Sequence, residues 1–262
     1  MFLWPGFETQ KRTSDPAGLK RSQSSMDWDI MDTINPLEPN RTKDLDKANR
    51  IGIAYWDNAW PLGGIQHFSV HTQFVEETKW GYLKQDLTGA IGKTLEVGCG
   101  SGHISSLLAE RGYETFLLDY SFRAVLCASR SFLSYKGQSR KHYLVGNALS
   151  LPFEENTFDA VLSCGLLEHF DNANPVITEM ARVLKKGGLF YADICPRKFS
   201  LINIIAAMHH AKEGWYEAEI SAKEITEMIE RAGLTLKRLF AGGVLPPRDI
   251  PGKRRLGMLN KL

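Results

Sequence analysis

Cysteine is scarce in this chain, net charge is close to balanced, and no long apolar run occurs. Each shortage excludes a class of protein. The four cysteines (Cys99, Cys127, Cys164 and Cys195) form no C-x-x-C pair, and most sit in apolar contexts. They read as reduced core residues of a cytoplasmic protein, not as a disulfide framework. A net charge of +2 over 262 residues supplies no global field to recruit nucleic acid or a membrane surface. The longest apolar candidate, Leu201 to Met208, falls far short of the ~20 residues that cross a bilayer. The opening Met1-Phe2-Leu3-Trp4-Pro5-Gly6 lacks the basic segment and apolar stretch of a secretory signal. No His, Asp and Glu spacing marks a dedicated metal site, so none is expected.

What is present points to one large α/β core, since 43% of residues are hydrophobic. The most informative stretch is Leu95-Glu96-Val97-Gly98-Cys99-Gly100-Ser101-Gly102, an apolar strand followed by three alternating glycines. Glycine at alternate positions removes the Cβ atoms that would hold a ligand away from the main chain. Ile104 to Ala109 reads as a helix, whose free N–H groups point at whatever sits on the turn. A dinucleotide fingerprint would need a third glycine at position 103, which is His103; the third glycine is Gly102.

Further signals follow in order. Glu114 to Leu118 is a short apolar strand closed by Asp119, about 20 residues past the glycines, as ribose recognition requires. Then come Val145-Gly146-Asn147-Ala148-Leu149-Ser150-Leu151-Pro152-Phe153, and Phe158-Asp159-Ala160-Val161-Leu162-Ser163-Cys164-Gly165-Leu166-Leu167-Glu168-His169. Downstream lies Glu179-Met180-Ala181-Arg182-Val183-Leu184-Lys185-Lys186-Gly187-Gly188, in which Gly187 is expected as the C′ residue of a helix.

Together these segments, over roughly residues 50–240, resemble the class I S-adenosylmethionine (SAM)-dependent methyltransferases, nearest the ubiquinone/menaquinone-type and natural-product enzymes. The glycine run resembles motif I, (D/E)-x-G-x-G-x-G. The 145–153 segment resembles G-D-A-x-x-L-P-F with Asn147 where Asp is usual. The 158–169 segment resembles the fourth strand and its loop, and 179–188 matches E-x-x-R-V-L-K-P-G-G with Lys186 in place of Pro. The resemblance implies a cofactor set of Glu96, Gly98, Cys99, Gly100, Gly102, Asp119, Tyr120, Asn147, Ala148 and Cys164. Asp119 takes the ribose hydroxyls, and the Asn147 oxygen accepts from the adenine amino group. His169, beside Glu168, is the base candidate if the nucleophile arrives protonated. A histidine in that place also serves as a structural hydrogen-bonding residue.

The implied fold is a Rossmann-like, doubly wound, mostly parallel sheet flanked by helices. Strands are predicted near 94–98, 114–118, 142–145, 158–163 and 188–194, with helices near 102–111, 121–135 and 173–185. Alternation of this kind puts the ligand at the carboxyl ends of the strands. Residues 1–40, rich in polar and charged side chains, are expected to be mobile or draped over the surface. Residues 41–90 make an N-terminal helical cap. Asn40 or Thr42 caps a helix through Leu45, Ala48, Ile51 and Tyr55, and Phe68 to Leu83 forms another. Tyr55-Trp56-Asp57 resembles the aromatic helix that closes over the cofactor in the family; the same pattern also suits aromatics packed on the core. Residues 91–262 form the SAM-binding domain, in which 196–220 is a helical lid insertion carrying His209, His210 and Trp215-Tyr216. Ser221 with Glu224 forms a capping box, and Leu234 to Phe240 reads as a strand. No stretch after Val244 reads as the family's seventh strand. Lys253-Arg254-Arg255 reads as a solvated tail.

The reaction implied is methyl transfer to an oxygen or carbon of a small molecule, aromatic or lipid-like. Ser163-Cys164-Gly165-Leu166 stands where enzymes that methylate DNA base amino groups carry (N/D)-P-P-(Y/F), which argues against that reaction, so DNA is not expected as a partner. An RNA-modifying enzyme of the same fold, gripping phosphates with Lys11, Arg12, Lys20, Arg21 and the basic tail, is one alternative. A non-catalytic SAM-binding scaffold is the other.

Overall fold

The protein is described from a computed structural model, which describes residues 34–36, 53–60, 70–87, 92–132, 139–194, 218 and 220–239. In chain order the elements are β1 (Ile34–Pro36), α1 (Ile53–Ala59), α2 (Val70–Asp86), β2 (Lys93–Val97), α3 (His103–Glu110), β3 (Glu114–Asp119), α4 (Phe122–Ser131), β4 (Lys141–Val145), β5 (Phe158–Cys164), α5 (Asn174–Val183), β6 (Leu184–Asp193) and α6 (Ala222–Arg231). A 3₁₀ turn, Leu167–His169, follows β5.

The strands form one six-stranded sheet in the order β1-β4-β3-β2-β5-β6, and every pairing is parallel. The doubly wound α/β class implied by the sequence is therefore present. The chain runs from β2 outward through β3 to β4, then returns to place β5 on the other side of β2. That reversal opens a crevice at the carboxyl ends of β2 and β5, the usual ligand position in such sheets.

Parallel strands are covered on both faces, so their sequences are apolar at consecutive positions instead of alternating. Val161 and Leu162 on β5 illustrate this, since both are completely buried. Val161 joins the cluster beneath α5 and α6 (Val176, Ile177, Met180, Ile225, Ile229). Leu162 joins the cluster beneath α2 and α3 (Trp80, Leu83, Ile104, Leu108). Each such side chain contributes about 1.5–3 kcal/mol on burial. The same packing fixes the heights of the strand ends, and therefore of the site.

Local signals hold at several joints. Ser221 and Glu224 form the predicted capping box: Ser221 Oγ accepts from Glu224 N–H, and Glu224 returns an acceptor to Ser221 N–H. Three predictions need correction. Residues 234–239 form no strand: Leu234 and Leu236 pack on the core, but the backbone joins no ladder. Alternation selects a buried face and does not supply a partner strand. Gly187 is not a helix C′ residue, because α5 already ends at Val183. Its φ of +76° falls inside a bulge of β6, where the pairing with β5 jumps from Phe158–Leu184 to Ala160–Leu189. Residues 34–36, within the stretch read as mobile or surface-draped, pair with β4 as an edge strand.

Most of the helix expected through Leu45, Ala48, Ile51 and Tyr55 lies outside the described residues, although Tyr55 falls on α1; most of the lid insertion and the basic tail lie outside them as well. The end of the insertion is described: Ala218 N–H donates to the Glu168 carbonyl, and Ile220 is buried in the core. No helix among the described residues is long and apolar enough to cross a membrane.

Candidate functional site

The glycine turn is built by conformations that other residues adopt only at a cost. Gly98, Gly100 and Gly102 have φ of +69°, +50° and +68°. The N–H groups of Gly98 and Cys99 both donate to the Leu118 carbonyl at 2.8 and 3.1 Å, which sews the turn to the end of β3. Gly100 N–H donates to Asp119 Oδ2 at 2.9 Å. The other carboxylate oxygen, Oδ1, accepts from Ser121 N–H at 2.9 Å. Asp119 is thus pinned before any ligand arrives. Burial raises its carboxyl to about 6, against the backbone bonds that favour the charged form.

Glu96 lies one strand over. Its Oε2 accepts from both the N–H and the hydroxyl of Ser105, tying β2 to the first turn of α3. Burial pushes its carboxyl up to about 7 despite those bonds.

A cavity of about 240 Å³ opens on this edge. It is lined by Glu96, Gly98, Cys99, Gly100, Asp119, Tyr120, Asn147, Ala148, Cys164 and His169. These ten come from four separate segments of the sequence, and the carboxyl ends of β2, β3, β4 and β5 bring them together. Gly102 is the exception and does not line the cavity. A Cβ there would lie 2.5 Å from Leu117 and 3.2 Å from the Ala128 Cβ, so this glycine serves the close approach of α3 to β3 and α4.

His169 sits in the 3₁₀ turn after β5, 8% exposed, its ring centroid 4.7 Å from that of Trp56 in an edge-to-face arrangement. Cys99 and Cys164 also face this space, and burial raises both thiols, so neither is a ready thiolate. Cys99 and Cys164 are free thiols.

The N-terminal helix α1 covers the cavity. Asp57 accepts from the Ser121 hydroxyl at 2.6 Å, and Arg123 donates to the Asp57 carbonyl at 3.0 Å. The Trp60 ring rests on the glycine turn, so close that a Cβ at Gly100 would lie 2.8 Å from it. With this cover in place the cavity is smaller than the ~300–1,000 Å³ typical of ligand pockets.

Two charged residues are among the lining side chains outside the sequence motifs. Glu76 and Lys79 come from α2, and the Lys79 ammonium lies 3.0 Å from Glu76 and 3.2 Å from Asp193 at the end of β6. Burial works against the Lys79 charge, but Asp193 leads the neighbours that outweigh it, and the ammonium is held well above its ordinary range. A signal did exist. Glu76, Lys79 and the fully buried Leu83 share one stripe at helical spacing, and charges on a buried stripe need a polar destination.

Among the described residues, no group of three or more His, Cys, Asp or Glu side chains is placed to hold a metal ion. Asn147 lines the cavity, and its Oδ1 accepts from Leu149 N–H at 2.9 Å while keeping a second lone pair.

Comparison with known proteins agrees with this geometry. A family profile described as "Methyltransferase domain" matches residues 95–192. The ubiquinone biosynthesis O-methyltransferase of Idiomarina loihiensis is 26% identical over 202 residues, 73% of this chain and 79% of that protein. The protein of the same name from Dechloromonas aromatica is 30% identical over 171 residues, 63% of this chain and 68% of its own length. Among solved structures, the YcgJ protein of Bacillus subtilis superposes with a TM-score of 0.51 at 21% identity, covering 60% of this chain and 67% of that one. That last likeness speaks to the fold alone.

Proposed function

Because this chain belongs to the class I SAM-dependent methyltransferase family, we propose that it moves a methyl group onto an oxygen of a small aromatic or lipid-like molecule, with carbon as the second choice of acceptor. The enzyme class and the cofactor follow from the family. The acceptor, the site roles and a cytoplasmic setting are our own reading. One observation carries it: separate motif segments converge on a single cavity at the carboxyl edge of β2, β3, β4 and β5.

The residues present fit the cofactor. Gly98 and Gly100 carry no Cβ where one would project against the lining side chains Leu166 and Trp60. The buried Nδ2 of Asn147 has no hydrogen-bond partner among the described residues, so a donor waits for an acceptor. Asp119 would hold the ribose hydroxyls through the lone pairs its two backbone bonds leave free. Glu96, Glu76 and Lys79 would face the methionyl end, whose ammonium and carboxylate match their mixed charges. When bound, SAM supplies a methyl group activated by a sulfonium.

The protein's contribution is then alignment and exclusion of water, which together supply several kcal/mol of the barrier. Trp56, Leu166 and Phe170 line the cavity beside His169 and give the acceptor an apolar, aromatic seat. His169 would hold the acceptor hydroxyl and take its proton at a ring nitrogen. The relatives named for ubiquinone biosynthesis O-methylation support oxygen as the acceptor. No observation favours the RNA-modifying alternative, since the basic segments it needs lie outside the described residues.

The test is transfer of labelled methyl from SAM to a panel of ring-hydroxyl acceptors, alongside calorimetry with SAM and S-adenosylhomocysteine. We expect binding of both and label in at least one phenolic product. His169→Gln should lower the turnover of that acceptor roughly 100-fold while leaving SAM affinity within about twofold. Absence of SAM binding would overturn the site assignment. Transfer to RNA but to no small acceptor would overturn the substrate class.

A further inference from the structure

The core fixes the main chain at His169 but not the direction of its ring. Leu167 is completely buried and Phe170 nearly so. His169 N–H donates to the Leu166 carbonyl at 3.1 Å, and the Glu168 carbonyl accepts from Ala218 N–H. These contacts place the His169 Cα. The ring still turns about two side-chain torsions, and the second has broad minima for an imidazole. Which way the ring nitrogens point is left to a neighbour.

Trp56 is that neighbour. Its ring centroid lies 4.7 Å from that of His169 with the planes 69° apart, within the edge-to-face range of aromatic pairs. Trp56 is itself braced. Tyr55 meets it edge-on at 5.4 Å and 89°, and the next residue, Asp57, accepts from the Ser121 hydroxyl and from Arg123 N–H. Trp56 and Trp60 stand one helical turn apart, so one face of this segment meets both ends of the site. Trp56 lies at His169 and Trp60 at Gly100, while Asn58 and Ala59 between them are exposed.

We propose that Trp56 is a positioning residue for the methyl transfer: its indole holds the His169 ring in the orientation that meets the acceptor hydroxyl. The inference rests on the reading of His169 as the base. In that proton transfer the acceptor O–H bond breaks, an N–H bond forms on the ring, and the electron pair stays on the acceptor oxygen. The role goes beyond the apolar seat that Trp56 also provides. A seat acts on every acceptor, whereas a positioned base acts only on acceptors that arrive protonated. Because the indole rides on α1, the base is aligned only while that helix covers the cavity.

The experiment measures turnover of the whole chain at saturating SAM with two probes, an alkyl-substituted phenol and its para-nitro analogue. The nitrophenol is largely ionised in a mildly alkaline assay and has no proton to give, so the ratio of the two kcat values, phenol over nitrophenol, reports the base. Relative to the wild type, His169→Gln should lower this ratio roughly tenfold or more. Trp56→Leu should lower it roughly fivefold, and Trp56→Phe, which keeps a smaller ring, about twofold. Adding Trp56→Leu to His169→Gln should lower it no further, since both act through one group.

An unchanged ratio in Trp56→Leu would overturn the proposal even if KM rises for both probes, because that marks a seat alone. A full additional loss in the double variant would overturn it as well. Should Trp56→Leu fail to fold, the ratio in Trp56→Phe decides in the same way. A His169→Gln variant with the wild-type ratio removes the base reading and this inference with it. Failure of the wild type to methylate either phenol removes the acceptor class, with the same consequence. A ratio that falls in His169→Gln but holds in both Trp56 variants defeats the Trp56 assignment only.

Discussion

The main-chain N–H of Gly100 donates to Oδ2 of Asp119 across 2.9 Å, so the glycine turn and the acidic end of β3 form one unit. Because Oδ1 accepts from Ser121 N–H, both oxygens are needed as acceptors. Asp119→Ala should lose at least tenfold in SAM affinity and about 1–3 kcal/mol of stability through the two orphaned N–H groups. Asp119→Asn should not rescue either, since its amide nitrogen must oppose one of those donors. Calorimetry and urea denaturation check both; an Asn variant behaving as wild type would show that the carboxylate is not holding the turn.

Gly100 and Gly102 should fail in different ways when replaced by alanine. At Gly102 a Cβ would press into Leu117 and the Ala128 Cβ, which are core atoms beneath α3. With the left-handed backbone added, the cost is about 2–4 kcal/mol of stability, visible in the melting temperature. At Gly100 the obstacle is the Trp60 ring, on the covering segment, which can yield. Gly100→Ala should therefore cost only the left-handed backbone, about 1 kcal/mol, less than Gly102→Ala, and should lose SAM affinity as well. Equal losses of stability would contradict this division.

Asp57 joins α1 to the start of α4 through the Ser121 hydroxyl, and Trp60 follows on the same segment. Asp57→Ala should loosen that cover, raising the SAM dissociation rate several-fold with a stability cost of about 1 kcal/mol. Stopped-flow displacement of SAM measures the rate. An unchanged rate would mean that α1 does not limit exchange of the cofactor.

Stability of the ligand-free protein should fall as pH rises from about 4 toward 7. Burial lifts Asp119 from 3.8 to about 6 and Glu96 from 4.5 to about 7. Within that window the folded chain holds protons that the unfolded chain has lost, so deprotonation favours unfolding. Each group accounts for a loss on the order of 2–3 kcal/mol, complete above its folded value. Glu96→Gln keeps an acceptor for Ser105 and removes one titration. Between pH 5 and pH 8 the wild type should lose stability relative to this variant. A difference that does not change with pH would place the Glu96 titration elsewhere.

The sequence alone determined the order of the five central strands and the helices between them, their parallel arrangement, and the stretches that meet at the carboxyl edge. Those properties are written in local patterns: consecutive apolar positions for strands buried on both faces, alternating glycines for a turn with positive φ, and an acidic residue closing β3. Ser221 and Glu224 were legible for the same reason, because a capping box is complete within four residues. What the tertiary structure decided depends on partners distant in the chain. It assigned Gly102 to packing beneath α3, brought Glu76 and Lys79 of α2 into the cavity, and left residues 234–239 without a ladder. A motif can name a side chain, but only its packed neighbours decide what that side chain touches.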